Sequence, residues 1–134
     1  MTNALYAKGK EKLLSGSINM LTDTIKVALV KNTYGVNLAS HEFLSDLGAT
    51  TLGTNQTLTS KSVTGGVFDA ADPAWTAVAA GDTALAVVLF KDTGVAGTSP
   101  LLLYIDQITG FPLSTNGGNI SPEWDNGTFR IFSL

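Results

Sequence analysis

Cysteine is absent from the 134-residue chain, and so are long apolar runs. Without cysteine the fold has no disulfide, no thiolate metal ligand and no thiol nucleophile, so its stability must come from packing. No apolar run approaches the ~18 residues that are needed to cross a bilayer. The first twelve residues mix charged and short apolar side chains, unlike the apolar core of a signal peptide. We therefore expect one soluble domain, residues 1–134, that is neither membrane-bound nor exported by the secretory route.

Charged residues are also scarce. They make up 14% of the chain, against about 25% in an ordinary soluble domain. The net charge is -3 and the basic residues after the N-terminal cluster are scattered singly, which argues against nucleic acid as a partner. Charged side chains normally keep sheet edges and surfaces of soluble proteins from associating. Their scarcity therefore indicates a surface that is largely covered in an assembly.

The first sixteen residues predict a short amphipathic helix. Asn3 is a plausible N-cap and Gly16 is suited to end the helix in the left-handed conformation. Leu5, Tyr6, Gly9 and Leu13 fall on one side of the helical wheel. Because glycine has no side chain, Gly9 would let this stripe sit close against a sheet.

Residues 24–134 change to the alternating pattern of β-strands. Ile25, Val27 and Leu29 would face one way while Ala28 and Val30 face the other. Further predicted elements are a loop over residues 32–40, a helical turn at 41–47, an extended edge strand or loop within 50–64 with a strand near 58–63, and short strands near 67–68 and 75–78. The apolar runs 84–90 and 101–105 predict a central hairpin, and turn residues at 125–127 predict a C-terminal one.

These elements predict a mainly β fold. Seven or eight short antiparallel strands with frequent turn signals favour a β-sandwich or jelly-roll-like barrel, with the helix of residues 1–16 added to the β-rich body of residues 24–134.

One tripeptide resembles enzymatic machinery. Asp92-Thr93-Gly94 follows an apolar strand, as in aspartic peptidases, which in their small viral forms act as homodimers. A dyad needs two carboxylates that share a proton, whereas the adjacent Lys91 ammonium would keep Asp92 ionised. An ordinary glycine-rich turn is the favoured interpretation. His41, the only histidine, is expected to be a solvated or capping residue, so we predict no enzyme and no catalytic residue.

Two further kinds of site have weak support. Asp69, Asp72 and Asp82 could bind a hard cation, but their spacing matches no calcium loop. Trp75 and Trp124 could stack on sugars, although isolated tryptophans are more often core or interface anchors. We therefore predict no metal ligand, no cofactor and no small-molecule substrate.

Five segments of the chain share a pattern with a known class of protein. They are residues 3–14, 23–30, 42–47, 90–94 and 116–132. Together they resemble small virion proteins of tailed bacteriophages, and most closely the capsid decoration, or cement, proteins. The resemblance spans nearly the whole chain and brings no catalytic residue with it.

The resemblance implies a protein that is made in the host cytoplasm and joins the outer capsid surface of the virion. It would bind the expanded head as a homodimer or homotrimer and stabilise contacts between copies of the major capsid protein. The N-terminal helix and the stretch 50–64 are the expected contact regions. A structural protein of the phage tail, neck or fibre is the alternative, and a dimeric aspartic peptidase using Asp92 is the enzymatic one.

Overall fold

The computed structural model describes residues 4–108, 110–123 and 131–133, and they form a mainly β fold of antiparallel sheets. This confirms the predicted fold class. The strands of the described residues are β1 (Ala4–Leu5), β2 (Ile25–Lys31), β3 (Thr51–Thr57), β4 (Ser62–Thr64), β5 (Val67–Asp69), β6 (Thr83–Lys91), β7 (Leu101–Ile105), β8 (Leu113–Ser114) and β9 (Phe132–Ser133). The helices are α1 (Ala7–Leu14) and two 3-10 segments, Leu44–Thr50 and Ala96–Thr98.

The strands form two sheets. The large sheet has the order β1-β7-β6-β2-β3, and β8 pairs with the first residues of β6. The small sheet has the order β4-β5-β9. The predicted hairpin of β6 and β7 is confirmed, and both strands lie inside the large sheet.

Strand β2 shows why the two sheets share one core. Its residues Ile25, Val27 and Leu29 are fully buried in a cluster that also contains Phe68 of the small sheet, whereas Ala28 and Val30 belong to a second cluster. The alternation predicted from the sequence is therefore confirmed. Because full burial of one such side chain stabilises a fold by roughly 1.5–3 kcal/mol, both faces of this sheet contribute to stability.

Helix α1 begins later than predicted. Residues Ala4–Leu5 pair with β7 as strand β1, and the Tyr6 N–H donates to the Leu102 carbonyl at 2.9 Å. Tyr6 takes an extended conformation as the N-cap and makes no side-chain capping bond. The prediction that the helix includes residues 4 and 5 is therefore wrong, because these residues form backbone hydrogen bonds with the edge of β7. The predicted N-cap Asn3 lies outside the described residues.

The glycines of the helix behave as predicted. Gly16 has φ +81°, and the N–H groups of Gly16 and Ser17 donate to the carbonyls of Leu13 and Lys12, which is a Schellman end. A β-carbon on Gly9 would lie 2.6 Å from the Leu101 carbonyl oxygen. The missing side chain thus allows the helix to contact the backbone of β7.

Of three further predictions, one turn is confirmed, one strand is wrong, and one turn lies outside the described residues. The Gly65-Gly66 turn has two positive φ angles and joins β4 to β5, as predicted. Trp75 forms only an isolated bridge with Ile120, because Ala77 at φ +49° interrupts the strand predicted over 75–78. The turn predicted at 125–127 lies outside the described residues, and β9 pairs with β5.

The helical turn predicted at 41–47 is displaced toward the C-terminus. The 3-10 segment starts at Leu44, and the Asp46 carboxylate accepts the N–H groups of Glu42 and Phe43 at 2.7 and 3.0 Å. These bonds hold the residues before Leu44 in an extended conformation. Leu47 is buried in the second cluster, as the apolar pattern indicated.

Candidate interaction surface

An apolar depression opens between the end of α1 and the small sheet. Leu21 is 50% exposed and Val63 is 47% exposed, although both are large apolar residues. They border a hollow of about 320 Å³. We call it the Leu21 hollow; its lining residues are Gly16, Ile18, Asn19, Met20, Leu21 and Val63. Leu14, the last residue of α1, is 86% exposed as well.

Local hydrogen bonds shape the loop that forms one wall of the hollow. The Asn19 Oδ1 atom accepts the N–H groups of Leu21 and Thr22 at 3.0 and 3.2 Å. The Asp23 carboxylate accepts the Asn19 N–H at 2.7 Å. Ile18 and Met20, on either side of Asn19, are buried, whereas the next residue, Leu21, is exposed.

Two lysines fasten this loop to the strands. Lys91 Nζ at the end of β6 lies 3.2 Å from Asp23 Oδ2 and donates to the Ser17 carbonyl at 3.0 Å. Lys61, next to β4, donates to the Asp23 carbonyl. The Asn19 N–H and then the Lys91 ammonium hold the pKa of Asp23 below its ordinary value. The wall of the hollow is therefore a fixed part of the fold.

Strand β4 forms the opposite wall. All of its residues, Ser62–Thr64, are exposed and uncharged, and within the described ranges the strand pairs with β5 alone. Its second edge therefore presents backbone N–H and C=O groups beside the hollow. Such an edge is a template for another polypeptide unless charge or a bulge blocks it.

The expected contact stretch 50–64 thus divides into two edges of different character. Strand β3 lies at the edge of the large sheet, and no charged residue occurs from Leu47 to Ser60. A register shift against β2 and a positive φ at Gly53 bend this edge, and Gln56 Nε2 donates to the Thr54 carbonyl at 2.7 Å. Because bulges and side-chain bonds protect an edge, β4 is the more open of the two.

Asp92 has the contacts of a turn residue. Its Oδ1 atom accepts the Gly94 N–H at 3.0 Å, and its Oδ2 atom lies 3.1 Å from Lys26 Nζ. Both contacts lower the pKa of the carboxyl group, and the hydrogen bond from Gly94 has the larger effect. The prediction that Lys91 would supply the positive charge is wrong, because Lys91 pairs with Asp23 across the loop. Such a carboxylate favours the ionised form, whereas a catalytic dyad needs a shared proton.

His41 belongs to a network that the sequence did not reveal. Its Nδ1 atom lies 2.8 Å from the Tyr34 hydroxyl, which lies 2.7 Å from the Tyr6 hydroxyl. His41 was predicted to be a solvated or a capping residue, and the capping role belongs to Asp46, which accepts the Glu42 N–H. No local spacing could have indicated this chain, because its partners come from separate elements.

Two further kinds of site were considered from the sequence, a cation site and a sugar-binding site. Asp82 lies 3.6 Å from Lys31 Nζ, and no group of three or more His, Asp or Glu residues is placed to hold a metal among the described residues. Trp75 is buried in the first cluster, as the core interpretation indicated. Trp124 lies outside the described residues. In the same described ranges, no helix is long and apolar enough to cross a membrane.

Comparison with known proteins adds no family to this picture. A scan against models of protein families finds no match, and a search of curated proteins finds none.

Proposed function

We propose that this protein is a capsid decoration protein of a tailed bacteriophage. It binds the outer surface of the expanded head and stabilises contacts between copies of the major capsid protein. The observation that carries the proposal is the Leu21 hollow beside the uncharged strand β4, since this region combines exposed apolar side chains with the backbone of an edge strand. The resemblance of the sequence to cement proteins supports the same function.

The chemistry of the surface suits binding to a repetitive lattice. An extended segment of the capsid protein can pair with β4 through its backbone while one apolar side chain enters the hollow. Burial of one leucine-sized side chain contributes roughly 1.5–3 kcal/mol, which is modest for a single contact. A homodimer or homotrimer seated over several capsid subunits multiplies such contacts through their high effective concentration.

The scarcity of charge is consistent with this role. A surface with few charged side chains associates easily in solution. When a partner covers it, the free-energy cost of removing charges from water is small. The protein would fold in the host cytoplasm and become covered on the virion. In this proposal its partners are the capsid protein and its own copies, without nucleic acid, membrane or a small-molecule substrate.

Co-sedimentation with expanded heads that lack the protein tests the proposal. The wild type is expected to pellet with heads at a fixed ratio, while Val63→Ser pellets much less. Val95→Ser is the matched control, because Val95 is 59% exposed but is not one of the residues that line the hollow.

Two results would contradict the proposal. If saturating wild-type protein stays in the supernatant, head binding is wrong, and binding to isolated tails would then favour the tail, neck or fibre alternative. If Val63→Ser and Val95→Ser both pellet like the wild type, the hollow is not the contact surface.

A further inference from the structure

A chain of three side chains joins the start of α1 to the loop that follows β2. Tyr6 is fully buried and Tyr34 nearly so, and their hydroxyl oxygens lie 2.7 Å apart. The Tyr34 hydroxyl also lies 2.8 Å from His41 Nδ1, and the Tyr34 and His41 rings are stacked with centroids 5.6 Å apart. Two hydrogen bonds therefore connect three titratable groups.

The number of protons fixes the direction of these bonds. When His41 is neutral and carries its proton on Nε2, the chain holds two hydroxyl protons for two bonds: Tyr6 donates to Tyr34, and Tyr34 donates to Nδ1. A proton on Nδ1 gives three protons for the same two bonds. One buried proton then lacks an acceptor within the chain, and burying an unpaired donor is unfavourable.

The groups around the imidazole decide what happens to the surplus proton. Asp46 lies close to His41, since its carboxylate accepts the N–H of Glu42, the next residue in the chain, at 2.7 Å. The N–H groups of Glu42 and Phe43 lower the pKa of Asp46, so it stays ionised while a histidine titrates. A protonated ring would therefore be attracted to the Asp46 carboxylate, which lies outside the hydrogen-bonded chain.

The other titratable neighbours lie farther along the network. The Tyr104 ring is 6.2 Å from Tyr34, and its hydroxyl interacts with Asp106. Burial raises the pKa of Tyr6 and of Tyr34, so both stay neutral in the range in which histidine titrates. Glu42, which adjoins His41 in the chain, is paired with Lys12 at 2.7 Å.

The same loop holds the helix through its backbone. The Ala7 N–H donates to the Leu38 carbonyl at 2.8 Å, and Lys12 of α1 bonds Glu42 just after His41. Movement of His41 away from Tyr34 would loosen a loop that fastens both ends of α1. We propose that the Tyr6–Tyr34–His41 chain is a proton-sensitive latch, closed when the imidazole is neutral and released when it takes up a proton.

Amide hydrogen exchange and ring ¹⁵N shifts, measured at pH 8 and pH 5.5, test the latch without reference to the proposed function. At pH 8 the His41 ring is expected to carry its proton on Nε2. At pH 5.5, after correction for intrinsic exchange, protection of the Ala7 amide should fall roughly tenfold, as expected for the loss of one buried hydrogen bond.

Two variants separate the latch from general acid effects. His41→Asn keeps an acceptor near the position of Nδ1 but cannot titrate, so its Ala7 protection should not change between the two pH values. Tyr34→Phe removes both bonds and should lower protection equally at both. The proposal is overturned if His41→Asn responds to acid like the wild type, if the wild type shows no response, or if the neutral ring is protonated on Nδ1.

Discussion

Two leucines in different regions of the molecule show how the fold separates its core from the proposed binding surface. Leu89, in the middle of β6, is fully buried between β2 and β7 in the large sheet. Leu21, at the rim of the hollow, is 50% exposed. The large sheet is buried on both faces along its central strands, whereas β4 of the small sheet is exposed throughout. The fold can therefore lose the exposed side chains of Leu21 or Val63 without losing its core.

The largest effect is expected from a leucine-to-alanine substitution in the core, compared with the same substitution at the hollow. Leu89→Ala should destabilise the protein by about 3 kcal/mol, because it removes buried methyl groups and leaves a cavity. Leu21→Ala is the matched control and should cost less than about 1 kcal/mol, because the side chain is already half in water. Urea unfolding of both variants gives the two values. Equal losses would mean that the hollow belongs to the folding core.

The second effect concerns the contact of α1 with β7. Gly9→Ala should destabilise by roughly 2 kcal/mol, because its β-carbon would meet backbone atoms that cannot turn away. Gly35→Ala provides the control, since nothing lies within 4 Å of the added carbon. Thermal unfolding should show a lower midpoint for Gly9→Ala only. An unchanged midpoint would show that the helix is not tightly seated on the large sheet.

A smaller effect concerns Asp92. Because its pKa is lowered in the folded state, the ionised carboxylate stabilises the fold above the ordinary pKa of about 3.9, and this stabilisation is lost as the pH falls through the folded value. Asp92→Asn should cost under about 1 kcal/mol at pH 7 and flatten the acid decline of stability, as measured by urea unfolding between pH 2 and pH 7. Lys26→Met, which removes the paired cation, should reproduce part of the loss at pH 7.

The same Asp92→Asn variant addresses the enzymatic alternative. We expect no acid-optimum peptide cleavage before or after the change. Cleavage by the wild type that disappears in the variant would instead favour the aspartic peptidase.

The smallest expected effect on stability is at β4. Val63→Ser should change the free energy of unfolding by no more than about 0.5 kcal/mol, because surface substitutions rarely do more. The same variant is expected to lose binding to heads. Urea unfolding measures this change in the free energy of unfolding. A large loss would mean that β4 contributes to the folding core and would contradict the distinction between the two regions.

The fold followed from the sequence wherever a local pattern decided it. The alternation of β2, the apolar runs of β6 and β7 and the paired glycines at 65–66 each act within a few residues. Strand β1 was not predicted, because Ala4 and Leu5 are equally compatible with a helix. They are extended only because they pair with the edge of β7.

The candidate surface was predicted only in part. The helix and the stretch 50–64 stay predicted contact regions, and each supplies one residue of the hollow, Gly16 and Val63. The hollow itself depends on Leu21 and Val63 lying close together in the fold. The Tyr6–Tyr34–His41 chain likewise joins residues from separate elements, so no spacing in the sequence could indicate it. Long-range packing determines both features.

The most direct test of the central claim is electron cryo-microscopy of expanded heads, lacking this protein, after incubation with the purified chain. The account predicts ordered, stoichiometric density on the outer lattice, with β4 and the Leu21 hollow facing the capsid subunits. Undecorated heads at saturating protein, or bound density that turns this surface toward solvent, would contradict it.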